Sequence, residues 1–120
     1  MRILSASSVV VREEAQMKRF LIAYTYRLDA DSRAAWHRQV AEFIEQLDKD
    51  PALGGRIRYR CMKAGEGDAY FHLAEVADEQ ALAVLRERPY FKRYTEETKR
   101  VGGGAVDVTP LETISETSAR

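Results

Sequence analysis

Hydrophobic and polar side chains alternate along four stretches of the chain, and this alternation predicts four β-strands. Residues 20–28 read FLIAYTYRL, with a large apolar or aromatic side chain at every second position. The same period of two, typical of a strand, recurs over residues 57–63, 70–77 and 105–114. Because proline has no N–H to donate to a neighbouring strand, Pro110 requires the last strand to be either an edge strand or an irregular one.

A helical period separates these strands at two places. Between the first and second strands, residues 31–49 carry an apolar stripe at mostly helical spacings of three and four, and residues 29–32, with the sequence DADS, supply capping side chains for this helix. The stripe consists of Trp36, Val40, Phe43, Ile44 and Leu47. After the third strand, a second helix begins at Glu79, is broken at Pro89 and ends at three consecutive glycines that start with Gly102.

The resulting order, β-α-β-β-α-β, predicts an α+β, ferredoxin-like fold: an antiparallel four-stranded sheet with both helices on one face. A tight turn at Gly65–Gly67 joins the second and third strands as a hairpin. We expect residues 18–115 to form this domain, with residues 1–17 as an N-terminal arm or extension and residues 116–120 as a C-terminal tail. Residues 8–12 of the arm could add a short strand.

The composition narrows the class of protein. With 120 residues, 45% of them hydrophobic and 32% charged, the chain has the size and character of one soluble globular domain. Its 19 basic and 19 acidic residues cancel, which argues against nucleic-acid binding because such proteins usually carry a basic surplus. No apolar run approaches the roughly 20 residues that cross a membrane. We therefore expect a cytoplasmic protein that binds neither nucleic acid nor membranes.

The few cysteine and histidine residues exclude two kinds of site. The single cysteine, Cys61, cannot form an internal disulfide, and with only His37 and His72 beside it the sequence has no zinc or iron–sulfur spacing. No metal site is expected. Because Cys61 lies in an alternating strand, a small buried apolar residue is favoured over a reactive thiol.

Both faces of the predicted sheet carry apolar side chains. The first strand has Leu21 and Ala23 on the face opposite its large aromatic residues, and the third strand has Phe71 and Leu73 opposite Tyr70. Helices cover only one face of a ferredoxin-like sheet, so the other face needs a second layer. The commonest such layer is a second copy, which predicts a homodimer. The alternative is a monomer whose apolar face is covered by the N-terminal arm.

Three short motifs in sequence order resemble the antibiotic biosynthesis monooxygenase superfamily. They are GRIRY at residues 55–59, YFHLAE at residues 70–75, and RPYF at residues 88–91 followed by Tyr94. The resemblance covers about residues 18–114, and it implies a dimeric α+β barrel. It further implies oxygenation of a phenolic or quinol substrate without a cofactor. The asparagine, tryptophan and histidine set of the haem-degrading members cannot be placed in this chain, which disfavours haem cleavage.

A site of the implied kind needs an apolar pocket, one base and donors for a developing oxyanion. His72, in the middle of the third strand, is the candidate base, and Tyr26 is the second candidate catalytic residue. The candidate substrate-binding residues are Tyr24, Trp36, Arg58, Tyr59, Glu75 and Tyr90. The alternatives are a histidine hydrogen-bonded across strands, and tyrosine and tryptophan side chains that only pack the core.

The basic residues of the second strand allow two interpretations. Arg56, Arg58 and Arg60 lie at alternate positions, and such a row could bind a phenolate or carboxylate. It could equally be a solvated strand face that pairs with Glu75 or with acidic residues of the first helix. Glu75 could itself act as a base if it is buried, but the sequence does not fix the hairpin register that decides this.

These observations lead to one hypothesis and one alternative. The hypothesis is a cofactor-independent monooxygenase-like homodimer that acts on a small aromatic or quinol-type substrate. The alternative is a non-catalytic barrel of unknown function that binds a small hydrophobic or aromatic molecule, as in a stress response. Single-stranded RNA binding, which the same strand order also supports, is disfavoured because the third strand lacks the basic, glycine-punctuated pattern of RNA-binding domains.

Overall fold

The structure, a computed structural model, describes residues 17–27 and 29–118. Its elements follow the predicted order, with the second helix split at Pro89. They are β1 (Lys18–Thr25), α1 (Ala30–Lys49), β2 (Ile57–Lys63), β3 (Ala69–Val76), α2 (Glu79–Glu87), α3 (Pro89–Val101) and β4 (Asp107–Leu111). The predicted α+β, ferredoxin-like fold is thereby confirmed. The expected arm over residues 1–16, with its short strand at 8–12, lies outside the described residues.

The four strands form one antiparallel sheet in the order β2-β3-β1-β4. Residues directly opposite one another share a face, so the register decides which side chains meet. Ile22, His72 and Cys61 lie opposite one another across three strands and face the helices. Leu21 and Leu73 lie opposite each other on the uncovered face. The predicted two-sided pattern is confirmed.

Two strands differ in length from the sequence prediction. β1 ends at Thr25 instead of Leu28, which lies outside the described residues, because the chain turns toward the start of α1. There the Asp29 carboxylate accepts a hydrogen bond from the Ser32 N–H at 2.8 Å. β4 covers only Asp107–Leu111 instead of residues 105–114, because it pairs with β1 only as far as Arg19, one residue from the start of that strand. The edge position of Pro110 is confirmed.

The split between α2 and α3 follows from the proline. Pro89 stands at the first position of α3, where no N–H is needed, and Arg88 ends α2 in an extended conformation. At the other end of α3, Gly102 allows the helix to approach β1 closely. A Cβ at Gly102 would lie 3.0 Å from the Cβ of Tyr24 and from a methyl group of Val106.

The core lies between the sheet and the helices and is rich in aromatic residues. α1 buries the predicted stripe except for Ile44, which is half-buried. Phe43 stacks on Tyr94 of α3 with ring centroids 3.8 Å apart, and Trp36 is stacked with the same tyrosine at 5.8 Å. This aromatic layer covers the middle of β3, where the side chain of His72 lies.

Candidate functional site

A buried histidine and four aromatic side chains form a hydrogen-bonded cluster between the sheet and the helices. The side chain of His72 is fully buried. Its Nε2 lies 2.7 Å from the hydroxyl of Tyr24, and its Nδ1 lies 2.5 Å from the hydroxyl of Tyr59 and 3.2 Å from that of Tyr94. The Trp36 indole N–H donates to the Tyr24 hydroxyl at 2.8 Å. We call these five residues the His72 cluster.

Five different elements supply the His72 cluster. Tyr24, His72 and Tyr59 lie on β1, β3 and β2, at positions whose side chains point toward the helices. Trp36 comes from the buried stripe of α1, and Tyr94 from the buried face of α3. Because these elements are far apart in the sequence, the cluster exists only in the folded domain.

Burial determines the charge of the His72 cluster. It lowers the pKa of His72 to about 4, because imidazolium loses its hydration inside the core. It raises the pKa values of Tyr24, Tyr59 and Tyr94 above their ordinary range, because a buried phenolate likewise loses its hydration. At neutral pH the cluster is therefore uncharged, with an unprotonated imidazole nitrogen and three intact hydroxyls.

The hydrogen bonds of the His72 cluster leave one hydroxyl hydrogen unused. Neutral imidazole has one N–H and one acceptor nitrogen, and each tyrosine has one O–H. In one tautomer, Tyr24 donates to Nε2 and the Nδ1–H donates to Tyr59. Tyr59 and Tyr94 can then share only one hydrogen bond with each other, so the O–H of one of them has no acceptor within the cluster. If Nε2 donates instead, the O–H of Tyr24 is left over, since Trp36 also donates to that oxygen. Either tautomer leaves one hydroxyl hydrogen without an acceptor inside the cluster.

A cavity of about 960 Å³ lies at the β2 edge of the sheet, beside the His72 cluster. Its apolar side is lined by Ile44 and Leu47 of α1 and by Tyr59 of β2. Arg58 and Glu75 belong to its charged side, and residues 116–118 of the C-terminal tail complete it. Tyr59 is the one residue that belongs to both the cavity lining and the His72 cluster.

The predicted substrate-binding residues Arg58 and Glu75 lie on the uncovered face of the sheet. They are directly opposite each other, and their side chains approach to 3.8 Å. Glu75 also accepts a hydrogen bond from the Arg19 Nε at 3.0 Å. The register thus gives the pairing with Glu75 that one interpretation of the basic row predicted. Arg56, at the start of the row, pairs instead with Asp78 at 2.7 Å.

A second buried polar group, at the break between α2 and α3, contains the predicted substrate-binding residue Tyr90. Its hydroxyl donates to Asp50 at 2.6 Å, and Arg88 donates to both oxygens of the same carboxylate at 2.8 and 3.0 Å. The bonds from Arg88 hold the pKa of Asp50 at about 2, and burial raises the pKa of Tyr90 to about 12. We call these three residues the Asp50 cluster. It places the Tyr90 hydroxyl apart from His72.

Tyr26, the second candidate catalytic residue, is buried but has a different partner from the His72 cluster. Its hydroxyl donates to the backbone oxygen of Ser32 at 3.3 Å. Tyr70 links the two regions, because its ring stacks on Tyr24 with centroids 5.3 Å apart. The hydroxyl of Tyr70 lies 2.7 Å from Nε2 of His37, an exposed residue that the helical pattern placed toward solvent.

The structure therefore brings four predicted site residues together and adds one that the sequence analysis did not single out. His72, Tyr24, Trp36 and Tyr59 share the His72 cluster, and the added residue is Tyr94. A signal for Tyr94 was available, since it repeats with Thr98 and Val101 at helical spacing on a buried face. The roles assigned to all these residues stay predictions.

The other nucleophilic and metal-binding side chains give no second site. Cys61 is half-buried on the helix side of β2, and burial raises the pKa of its thiol to about 11, so the thiolate is scarce at neutral pH. Among residues 17–27 and 29–118, no group of three or more His, Cys, Asp or Glu side chains could hold a metal ion. Within the same ranges, no helix is long and apolar enough to cross a membrane.

Comparison with known proteins gives matches in structure only. No protein-family model matches the chain, and no curated protein matches it. SnoaB, a cofactor-independent oxygenase from Streptomyces nogalater, is similar with a TM-score of 0.69 and 13% identity over 87% of this chain and 99% of SnoaB. A candidate antibiotic biosynthesis monooxygenase from Caulobacter crescentus is similar with a TM-score of 0.66 and 15% identity, over 83% of this chain and 92% of that one.

A third solved structure, a dimeric ferredoxin-like protein of unknown function from Jannaschia sp., has a TM-score of 0.60. It is 17% identical over 81% of this chain and 99% of that one. Identities this low establish the fold and leave the activity open, because one fold supports many functions. The resemblance seen in the sequence is confirmed at that level: this chain has the ferredoxin-like fold of the antibiotic biosynthesis monooxygenases.

Proposed function

We propose that this chain is a cofactor-independent monooxygenase that acts on a small aromatic substrate of the quinol or anthrone type, with His72 as the base. The observation that carries the proposal is a neutral imidazole, buried in an aromatic core and surrounded by three tyrosine hydroxyls. Such a site combines a proton acceptor with hydrogen-bond donors in a region that excludes water. The similarity in fold to a cofactor-independent oxygenase agrees with this proposal.

The proposed reaction begins with the transfer of a phenolic proton from the substrate to His72. The lowered pKa keeps the imidazole unprotonated at neutral pH, and a phenolate beside it would stabilise the imidazolium that forms. The Tyr94 hydroxyl, which lies 3.2 Å from Nδ1, then donates to the substrate oxygen. The electron-rich anion reacts with dioxygen directly. For an anthrone, the CH₂ group becomes a carbonyl, and the second oxygen atom leaves as water with the two hydrogens.

A binding function without catalysis is the alternative, and one observation favours it. Each nitrogen of His72 already has a tyrosine partner, and Tyr59 is the one residue of the His72 cluster that lines the cavity. A ligand could therefore occupy the cavity beside Arg58 and Glu75 without reaching the imidazole.

We further propose that the working unit is a homodimer formed through the uncovered face of the sheet. Phe71 and Met62 are exposed there, beside the half-buried Leu21 and Leu73. An apolar strip of this kind is typical of an interface between copies. The solved dimer of similar fold agrees with this assembly.

The dimer can be tested by light scattering at micromolar concentration. Leu73→Arg puts a charge in the middle of the proposed interface and should produce monomers. Val108→Arg is the matched control, because Val108 is exposed at the edge strand on the helix side. Monomers of the unchanged protein would refute the proposed assembly.

The oxygenase activity can be tested by oxygen uptake with a panel of quinols and anthrones. We expect uptake by the unchanged protein and a loss of about 100-fold or more in His72→Gln, the usual cost of losing a general base. His37→Gln is the control, because His37 is exposed and lies outside the His72 cluster. Ligand binding without uptake for every substrate would exclude the enzyme and support the binding function.

A further inference from the structure

Tyr59 connects the lining of the cavity with His72. It belongs to the lining residues, and its hydroxyl lies 2.5 Å from Nδ1 of the buried imidazole. Neighbouring lining residues include Ile44 and Ile57. His72 is not among the residues that line the cavity, so a molecule there contacts Tyr59 and not the imidazole.

The surroundings of Tyr59 leave space for its side chain to move. β2 is an edge strand of the sheet, and Tyr59 is only half-buried, unlike the fully enclosed His72. The cavity volume of about 960 Å³ lies at the upper end of the range of about 300–1,000 Å³ that is usual for small-molecule sites.

Tyr94 keeps His72 hydrogen-bonded when Tyr59 moves. The Tyr94 hydroxyl is already 3.2 Å from the same nitrogen, Nδ1, and 3.0 Å from the Tyr59 hydroxyl. A buried polar atom that loses its only partner is costly, whereas one with a second partner in place is not. The loss of the Tyr59 hydroxyl therefore leaves Nδ1 satisfied, which lowers the cost of the movement.

We infer that Tyr59 is a movable gate whose phenol ring occupies the subsite of a phenolic ligand, and that such a ligand displaces it and places its own hydroxyl on Nδ1 of His72. The inference rests on the proposed function for the identity of the substrate class. Beyond the proposed function, it specifies how the ligand reaches the buried His72 and where the ligand hydroxyl binds.

The contacts of Tyr59 describe the ligand that fits this subsite. Its ring meets Phe43 edge-on, with centroids 5.2 Å apart and an angle of 79° between the planes. Its hydroxyl is held by His72 and Tyr94 together. A planar ring with a hydroxyl satisfies both sets of contacts, whereas a ring without one satisfies only the first.

The test removes the Tyr59 side chain by substitution and adds a free molecule of the same shape as a ligand. p-Cresol is the tyrosine side chain as a free molecule, and toluene is the same ring without the hydroxyl. In Tyr59→Ala, we expect p-cresol to bind about tenfold more tightly than toluene, the usual effect of one hydrogen bond in a buried site. In Tyr59→Phe, whose ring still fills the subsite, p-cresol should bind at least tenfold more weakly than in Tyr59→Ala. Equal affinities of Tyr59→Ala for the two ligands would overturn the inference.

The unchanged protein provides a second measurement that does not depend on the folding of a variant. Nuclear Overhauser contacts from bound p-cresol to the rings of His72 and Tyr94, with loss of the contact between Tyr59 and His72, are expected. Contacts confined to Ile44 and Ile57, with the Tyr59–His72 contact intact, would refute the gate. Neither measurement requires turnover, so binding at Nδ1 without oxygen uptake would sustain the gate while the oxygenase proposal fails.

Discussion

The His72 cluster and the Asp50 cluster both place tyrosine hydroxyls on a buried acceptor, but they differ in charge. Asp50 is ionised, and Arg88 pairs with both of its oxygens. His72 is neutral and surrounded by neutral donors. The first arrangement fixes α1 to the break between α2 and α3. The His72 cluster has no charge to neutralise, and it retains an unprotonated ring nitrogen and a hydroxyl hydrogen without an acceptor.

The difference shows how the surroundings of a buried polar group indicate its role. A charge that already has its counter-charge gains nothing from a new partner, so the Asp50 cluster is a structural element. Protonation of a neutral imidazole that is buried away from water becomes favourable only when a negative charge forms beside the imidazole. The His72 cluster therefore responds to a ligand that can lose a proton.

The largest predicted effect separates the two clusters by pH. The pKa of His72 falls from 6.5 unfolded to about 4 folded, so its stabilising contribution is complete above pH 6.5 and is lost as the pH falls toward 4. The shift corresponds to a loss on the order of 3 kcal/mol in the free energy of unfolding. The contribution of Asp50, whose pKa is lowered from 3.8 to about 2, is lost only below pH 3.8.

Urea unfolding between pH 7 and pH 2 measures this effect. In His72→Gln, the free energy of unfolding should depend less on pH between 6.5 and 4, while its loss below pH 3.8 should match that of the unchanged protein. An equal slope in both proteins between pH 6.5 and 4 would show that His72 is not held neutral by burial.

The next largest effect is expected from Arg88→Ala. It leaves the buried carboxylate of Asp50 without its counter-charge and should lower the free energy of unfolding by about 2 kcal/mol at pH 7. The value is below that of a fully enclosed pair, because water reaches the Arg88 side chain, which is 33% exposed. Arg60→Ala, at an exposed position of β2, is the control and should change stability by less than about 0.5 kcal/mol. Equal effects of the two substitutions would contradict the structural role of the Asp50 cluster.

A smaller effect distinguishes two tyrosines of the same strand region. Tyr24→Phe removes the acceptor of the Trp36 indole N–H and the partner of His72 Nε2, and it should cost about 1–2 kcal/mol of stability. Tyr26→Phe removes only a 3.3 Å bond to the Ser32 carbonyl and should cost less than about 1 kcal/mol. Thermal or urea unfolding compares the two. A larger cost for Tyr26→Phe than for Tyr24→Phe would contradict the central place of the Tyr24 hydroxyl in the His72 cluster.

The sequence pattern is sufficient to predict the elements and the faces of the sheet. Alternation identifies the four strands, Pro89 predicts the break in the second helix, and Pro110 predicts an edge strand. These features depend on local physics, such as the missing N–H of proline and the two-residue period of a strand.

The composition of the two clusters is much harder to predict, because it depends on register and helix rotation. Whether His72 and Tyr59 share a face, and whether they are neighbours, both depend on the pairing of β2 with β3. Tyr94 joins them only through the rotation of α3. Asp50 and Arg88, 38 residues apart, meet because α1 ends beside the break at Pro89. Tyr90 consequently lies with Asp50, and its predicted role in substrate binding stays untested.

The central claim is that His72 is a neutral imidazole held ready to accept a proton. ¹⁵N NMR of the ring nitrogens, titrated from pH 8 to pH 4 in the unchanged protein, measures this directly. We predict one protonated and one unprotonated nitrogen throughout the neutral range, with titration beginning only as the pH approaches about 4. A His72 titration centred at its ordinary value near 6.5 would contradict the claim.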